Sequence, residues 1–286
     1  MIIWLSSYPK SGNTFLRSLL TSYLFTNDGK FNLHSLGKIY QFPDIKFFKE
    51  LGIDTSKELE VVKNYIKVQE KINSEDNNSI RFVKTHSSLN DINGYKFTDL
   101  NNTLGAIYIV RDPRTIVKSY ANHNQISLEA SCNRLLEYGA TIGGFKKSNV
   151  EANQIITHMG SWSSNYNTWK EFKKVNKYLL VKYEDLVLET EKTFLTILDF
   201  VYTIGKSKFT IDKIKLKNTL ETTTFDFLQS LEKKVGFPEA VVNKDGKTIP
   251  FFKYGPKKNK IKDLPEVLKN KIEYALENEM KELGYL

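Results

Sequence analysis

Four short runs of this chain are apolar through most of their length: Ile2–Ser6, Ile80–Thr85, Ala106–Arg111 and Tyr178–Lys182. Strands covered on both faces read as near-continuous apolar runs, whereas half-exposed strands alternate. Between these runs the apolar residues recur at helical spacing. Thr14–Leu24 sets Phe15, Leu16, Leu19, Leu20 and Tyr23 on one face, and Ser161–Val175 does the same with Trp162, Tyr166, Trp169 and Phe172. Asp112 and Pro113 supply an N-cap and a first helical residue for a helix through Tyr120, and Leu264–Leu283 opens with Pro265 and stops at Gly284. Strands alternating with helices predict an α/β fold. The expectation is a single domain over residues 1–286, with a central parallel sheet of about five strands flanked by helices.

Composition narrows the class without choosing within it. A chain of 286 residues with 40% hydrophobic and 26% charged residues suits one well-buried globular domain. No apolar run approaches the ~20 residues of a membrane helix. The opening MIIWLSS lacks a basic region and a long apolar stretch, so it reads as a strand and not as a secretion signal. The single cysteine, Cys132, excludes an internal disulfide framework and suits a reducing compartment, with the cytoplasm as default. The net charge is +9, and five lysines fall between Lys253 and Lys262. That balance fits an anionic partner, or lysine-rich composition with no partner at all. Segments Gly29–Asn78 and Gln125–Thr157 are the least regular, and Asn73–Ser79 is a surface loop by composition.

The stretch SSYPKSGNT, residues 6–14, joins the first strand to the first helix. A nucleoside-triphosphate loop, G-x-x-x-x-G-K-[ST], laid on Gly12 and Thr14 asks for glycine at Ser7 and lysine at Asn13. The lysine here is Lys10, three positions early. A strand–turn–helix still gathers backbone amides and the positive helix end around an anion. Ser11, Gly12, Asn13 and Thr14 would supply the amides, and Ser11 and Thr14 add hydroxyls. Lys10 enters from the turn, ahead of the helix.

YPKSGNT after a first strand resembles the 5′-phosphosulfate loop of the sulfotransferases that use 3′-phosphoadenosine 5′-phosphosulfate (PAPS). Further stretches follow in the family's order. FVKTH (Phe82–His86) is similar to its K-T-H, and IYIVRDPRTIVKSY (residues 107–120) to its 3′-phosphate motif. GSWSSNYNTW (Gly160–Trp169), VKYEDL (Val181–Leu186), TTF (Thr223–Phe225) and FFKYG (Phe251–Gly255) complete the resemblance across the chain. Two positions depart from it. Tyr254 stands where many relatives carry a second basic residue, with no G-D-W after it, which shifts weight onto Lys253 or a nearby lysine. Asn13 stands where animal relatives often have threonine, so bacterial-type members match better.

The resemblance implies a P-loop-kinase-like fold and transfer of a sulfuryl group from PAPS to an acceptor hydroxyl, without a metal. It implies His86 as base, Lys10 as the cation at the bridging oxygen of the leaving phosphate, and Lys84 at the sulfuryl oxygens. Lys10, Ser11, Gly12, Asn13 and Thr14 would hold the 5′ end of the donor. Arg111, Ser119, Lys253 and Gly255 would hold the 3′-phosphate, with Tyr183 and Thr223 near adenine; Phe15 and Phe225 either stack on adenine or pack in the core. The chemistry agrees: a sulfuryl group needs less neutralisation than a γ-phosphoryl, and Arg111 suits a phosphate fork. A P-loop nucleotide kinase is the alternative enzyme, disfavoured by the missing G-K-[ST]. A binding protein for anions or RNA is the non-enzyme alternative, and no RNA-binding motif supports it. The acceptor, whether small molecule, lipid or carbohydrate, would sit against Gly29–Asn78 and Gln125–Thr157. His123 could line that pocket, although surface or packing carries more weight for it.

Overall fold

The first strand, β1 (Ile2–Ser7), is buried at every residue. Its alternation sends Ile2 and Trp4 into one apolar cluster and Ile3 and Leu5 into another on the opposite face. The computed structural model describes residues 1–75, 79–143, 155–243, 245–255 and 259–286. The central part of the Asn73–Ser79 loop, parts of both segments expected to line the acceptor, and Lys257 and Lys258 of the lysine run lie outside the described residues.

Strands β2 (Tyr40–Gln41), β3 (Arg81–Thr85) and β4 (Thr103–Val110) follow. After a two-stranded ribbon of β5 (Thr141–Ile142) and β6 (Thr157–His158) comes β7 (Tyr178–Lys182). The sheet order is β2-β3-β1-β4-β7, and every pairing is parallel. This is the predicted single α/β domain with a five-stranded parallel sheet. The register sets Ser6 beside both Thr85 and Tyr108, and Ile109 beside Val181. The carboxyl ends of β1, β3, β4 and β7 therefore open on one edge. The chain runs from β1 outward to β3 and then returns to β4 on the other side. Ligands of open α/β sheets lodge at that reversal.

Several boundaries differ from the pattern reading. The helix expected over Thr14–Leu24 runs Asn13–Phe25, and the one expected to stop at Tyr120 runs Pro113–Asn124. Leu264–Leu283 is two helices, Glu266–Ala275 and Glu277–Glu282, because the backbone at Leu276 leaves helical geometry. The segment from residue 29 onward carries β2 and short helices, among them Ile45–Glu50 and Tyr65–Ser74. The helix expected over Ser161–Val175 is an α-helix over Trp162–Lys170 that tightens to a 3-10 helix over Glu171–Val175, and its aromatic face packs as read. Trp162, Tyr166 and Trp169 are buried core. Among the described residues, no helix is long and apolar enough to cross a membrane.

One buried side chain ties this core to the open edge. Asn165, fully buried, donates from Nδ2 to the carbonyls of His86 (3.0 Å) and Met159 (2.7 Å), and its Oδ1 accepts from Tyr108 Oη (2.8 Å). Replacing it with alanine strands three polar groups away from water. We expect Asn165→Ala to lower unfolding free energy by about 2–4 kcal/mol, since each orphaned buried group costs about 1–3 kcal/mol and relaxation recovers part of it. Urea denaturation measures this; a loss below about 1 kcal/mol would show that the triad is not structural.

Candidate active site

The loop after β1 is shaped by its own backbone. Lys10 sits at φ 66°, in the left-handed region that residues with a Cβ avoid, and Arg111 Nη1 donates to its carbonyl at 3.0 Å. Gly12 sits at φ 103°, and a Cβ there would lie 2.4 Å from Cδ2 of Tyr183. Glycine is needed at that point both for the turn and for the tyrosine ring laid across it. Gly12 then caps helix Asn13–Phe25 with no side-chain hydrogen bond, so the first-turn amides face the loop without a capping acceptor. Asn13 points inward, donating to Leu5 O (2.9 Å) and Ser7 Oγ (3.2 Å), so it offers the loop only its backbone. Ser11 is 1% exposed and its hydroxyl has no partner, which leaves a buried polar atom in the loop for a ligand to satisfy.

His86 stands at the exit of β3. Its Nδ1 lies 2.7 Å from Ser7 O, a carbonyl that can only accept, so Nδ1 carries the hydrogen and Nε2 holds the free lone pair. Burial pushes its pKa down to about 3, with the nearby Lys84 ammonium adding to the effect and the Ser7 bond opposing it. The imidazole is thus a neutral base of fixed tautomer. Lys84 is buried, and its Nζ lies 3.6 Å from Glu239 Oε1. Lys10 Nζ lies 3.8 Å from the centroid of the Phe251 ring. Burial pushes the Lys10 pKa down to about 7; Glu239 opposes this, while Lys84 and Arg111 contribute to it.

Arg111 follows β4. Its Nε donates to Thr115 Oγ1 (2.9 Å), and its guanidinium carbon lies 4.2 Å from the centroid of Tyr183. The Trp162 indole holds the Arg111 carbonyl at 3.2 Å. Lys10, Ser11, Gly12, Thr14, Lys84, His86, Arg111 and Tyr183 are therefore gathered at the ends of four strands. Other candidates stand further off. Ser119 is half-buried, one turn beyond Thr115 on helix Pro113–Asn124. Lys253 donates to Asn122 Oδ1 (2.6 Å) on that same helix. Thr223 is buried and spends its hydroxyl hydrogen on Thr219 O at 2.7 Å. Phe225 packs on Phe252 and on Gly255, where a Cβ would lie 2.8 Å from its ring. Phe15 packs at the border of the helix-side core.

Sequence reading missed Glu239 and Arg17. Thr14 Oγ1 donates to Glu239 Oε2 at 2.6 Å, and Arg17 Nη1 pairs with Oε1. Burial pushes the Glu239 carboxyl up, but Lys84 and Arg17, with the Thr14 hydrogen bond, outweigh it and hold the group far below the usual carboxylate range. Arg17 lies one helical turn after Thr14, a spacing that could have flagged it; Glu239 carries no local signal. His123 packs, as weighted from the sequence: its ring meets Phe251 edge-on at 6.0 Å, and burial and Lys10 push its pKa down to about 4.

An α/β sheet whose strand ends present a helix N-terminus, a ring of cations and a neutral imidazole defines a nucleotide- or anion-handling protein. The family model described as "Sulfotransferase domain" matches residues 2–284. The chain belongs to the sulfotransferase family and is an enzyme of that class. Among solved structures it is similar to mouse sulfotransferase SULT7A1 complexed with PAP, at 18% identity and TM-score 0.57, covering 98% of this chain and 84% of that one. It is likewise similar to a retinol dehydratase in complex with androsterone and inactive cofactor PAP, at 15% identity and TM-score 0.57, covering 98% and 80%. At these identities the likeness is one of fold. No curated protein matches the chain by sequence.

The His86 geometry sets an expected titration. Because its native pKa lies below the ordinary 6.5, acid favours the unfolded chain progressively as pH falls from 6.5 toward 3. A histidine-selective NMR titration of the native protein should show His86 neutral, with hydrogen on Nδ1, from pH 8 to pH 5. A midpoint near 6.5 would contradict the assignment.

Proposed function

We propose that this chain moves a sulfuryl group from PAPS to an acceptor hydroxyl, with His86 as general base and Lys10 as the cation at the leaving phosphate. The observation that supports it best is the meeting of a neutral imidazole with Lys10, Lys84 and Arg111 around a helix-capping loop. The unpartnered Ser11 hydroxyl and the space kept by Gly12 suit a phosphate drawn close to the backbone. Bound PAPS supplies the activated sulfuryl group that no side chain can provide.

Each residue then has a defined task. The amides after Gly12, with the Ser11 and Thr14 hydroxyls, hold the 5′ end of the donor. Arg111, helped by Ser119 and the Lys253–Gly255 stretch, holds the 3′-phosphate; its Nε and one terminal nitrogen are already engaged, which fixes the plane of the fork. Tyr183, Thr223, Phe225 and Phe15 border the adenine. His86 Nε2 takes the proton of the acceptor hydroxyl, and the bond from Nδ1 to Ser7 O keeps the ring aimed. Burial pushes the Lys10 pKa down to about 7 in the free protein; the bound donor's negative charge would hold it protonated, so that the ammonium meets the charge collecting at the bridging oxygen. Lys84 adds positive charge for the sulfuryl oxygens. No metal enters this scheme. The acceptor is a hydroxyl compound of small-molecule, lipid or carbohydrate class that enters past His123 and Phe251. The same reading puts the enzyme in the cytoplasm.

Two substitutions separate chemistry from binding. His86→Ala should leave affinity for PAP, the desulfated product, nearly unchanged while slowing single-turnover transfer by ~10²–10⁴-fold, as for loss of a general base. Lys10→Ala should slow transfer and weaken PAP binding together. Wild-type transfer by His86→Ala at saturating acceptor would remove His86 as the base and bring His123 forward.

A further inference from the structure

An acidic side chain of the chain itself engages the cationic groups next to the loop. Glu239 lies on the tight turn Phe237–Ala240, which precedes the ribbon of β8 (Val241–Val242) and β9 (Thr248–Ile249). Its carboxylate accepts from Thr14 Oγ1, pairs with Arg17 and stands 3.6 Å from Lys84 Nζ. Thr14 and Arg17 stand in the first turns of helix Asn13–Phe25, which starts just after Ser11, whose buried hydroxyl has no partner. We infer that Glu239 is a resident competitor for the donor site: an internal anion that occupies the cradle in the free enzyme and must withdraw when the donor's 5′ end arrives.

Stoichiometry argues for exclusion and against sharing. A threonine hydroxyl carries one hydrogen, and Thr14 has given its hydrogen to Glu239 at 2.6 Å. It cannot also donate to a phosphate oxygen. A second anion admitted beside the carboxylate would meet like-charge repulsion at the same cations, in a site largely screened from water. The turn is packed as one body with the Phe251–Phe252 segment. Phe237 packs on Phe251 and Phe252 with centroids 5.1 and 4.8 Å away, and the amides of Phe251 and Phe252 donate to Glu232 at 2.6 and 2.9 Å. Gln229 holds the Phe252 carbonyl at 2.6 Å. The turn is thus anchored behind, to helix Phe225–Val235, and meets the loop through Glu239 and through Phe251 over Lys10. In the free protein the carboxylate offsets buried positive charge that would otherwise be uncompensated. The donor would take over that role, so the turn would release only when a sufficiently charged anion replaces it.

This inference rests on the donor reading above, and the test separates the two. In wild-type enzyme, carbodiimide labelling of carboxylates read by mass spectrometry should show Glu239 protected, and saturating PAP should raise its labelling several-fold. In Glu239→Gln, calorimetry should show PAP binding ~10–100-fold tighter, because the competing closed state no longer taxes affinity. Labelling that stays flat or falls with PAP, or a Glu239→Gln affinity equal to or below wild type, would make the carboxylate a permanent part of the site and overturn the inference. If Glu239→Gln does not fold, the labelling of the wild type decides. A wild type that fails to bind PAP would instead contradict the donor reading, and inorganic sulfate then decides on Glu239. Sulfate raising the melting temperature of Glu239→Gln but not of wild type supports the competitor; equal shifts exclude it.

Discussion

Positive charge held away from water at the edge of the sheet is the constraint around which this molecule is organised. Arg17, Lys84 and Arg111 are each buried, and Lys10 stands above them against an aromatic ring. Among the described residues only Glu239 forms an ion pair with any of these four. Such a cluster is expensive in isolation, since each desolvated ion without a partner costs several kcal/mol. It persists because the carboxylate of a remote turn, the Tyr183 ring and backbone carbonyls share the load. The same imbalance makes the site receptive to a polyanion.

The neighbouring features follow from that requirement. Lys10 has a left-handed backbone, and Arg111 donates to its carbonyl across the loop, so the two cations are linked through the main chain. Gly12 leaves room for Tyr183, whose ring lies against the Arg111 guanidinium. His86 is kept neutral by burial and by the very lysine that would meet the transferred group. Burial and neighbouring cations keep the imidazole unprotonated but lower its basicity, so it gains as a base once a bound anion offsets those cations. The Asn165 knot connects the His86 carbonyl to β4 through Tyr108, joining the open edge of the sheet to the aromatic core.

How much of this was legible in the sequence depended on distance along the chain. β1, β3, β4 and β7 announced themselves because burial on both faces writes continuous apolar runs. β2 did not, since two residues, Tyr40 and Gln41, carry no period and pair with β3 only through tertiary contact. Helices of four to ten residues in the region 33–74 fall below the window in which helical periodicity shows. The loop Tyr8–Thr14 was readable because its geometry is local: turn, glycine and helix start are consecutive. Glu239 reaches Thr14 across 225 positions and Phe251 reaches Lys10 from the far end of the chain, so neither left a sequence signal. The split of Leu264–Leu283 at Leu276 was equally hidden, because both halves keep the helical pattern.

The central claim is that this arrangement of loop, cations and neutral histidine transfers sulfuryl groups and needs no metal to do so. The most direct test is incubation of the intact chain with sulfur-labelled PAPS and a panel of glycans, lipids, phenols and alkyl alcohols, with excess EDTA throughout. The account predicts labelled product on a hydroxyl acceptor, release of PAP in equal amount, and the same rate when EDTA is omitted. Turnover that EDTA abolishes and Mg²⁺ restores, accompanied by phosphoryl transfer from a nucleoside triphosphate, would contradict it and point to a kinase.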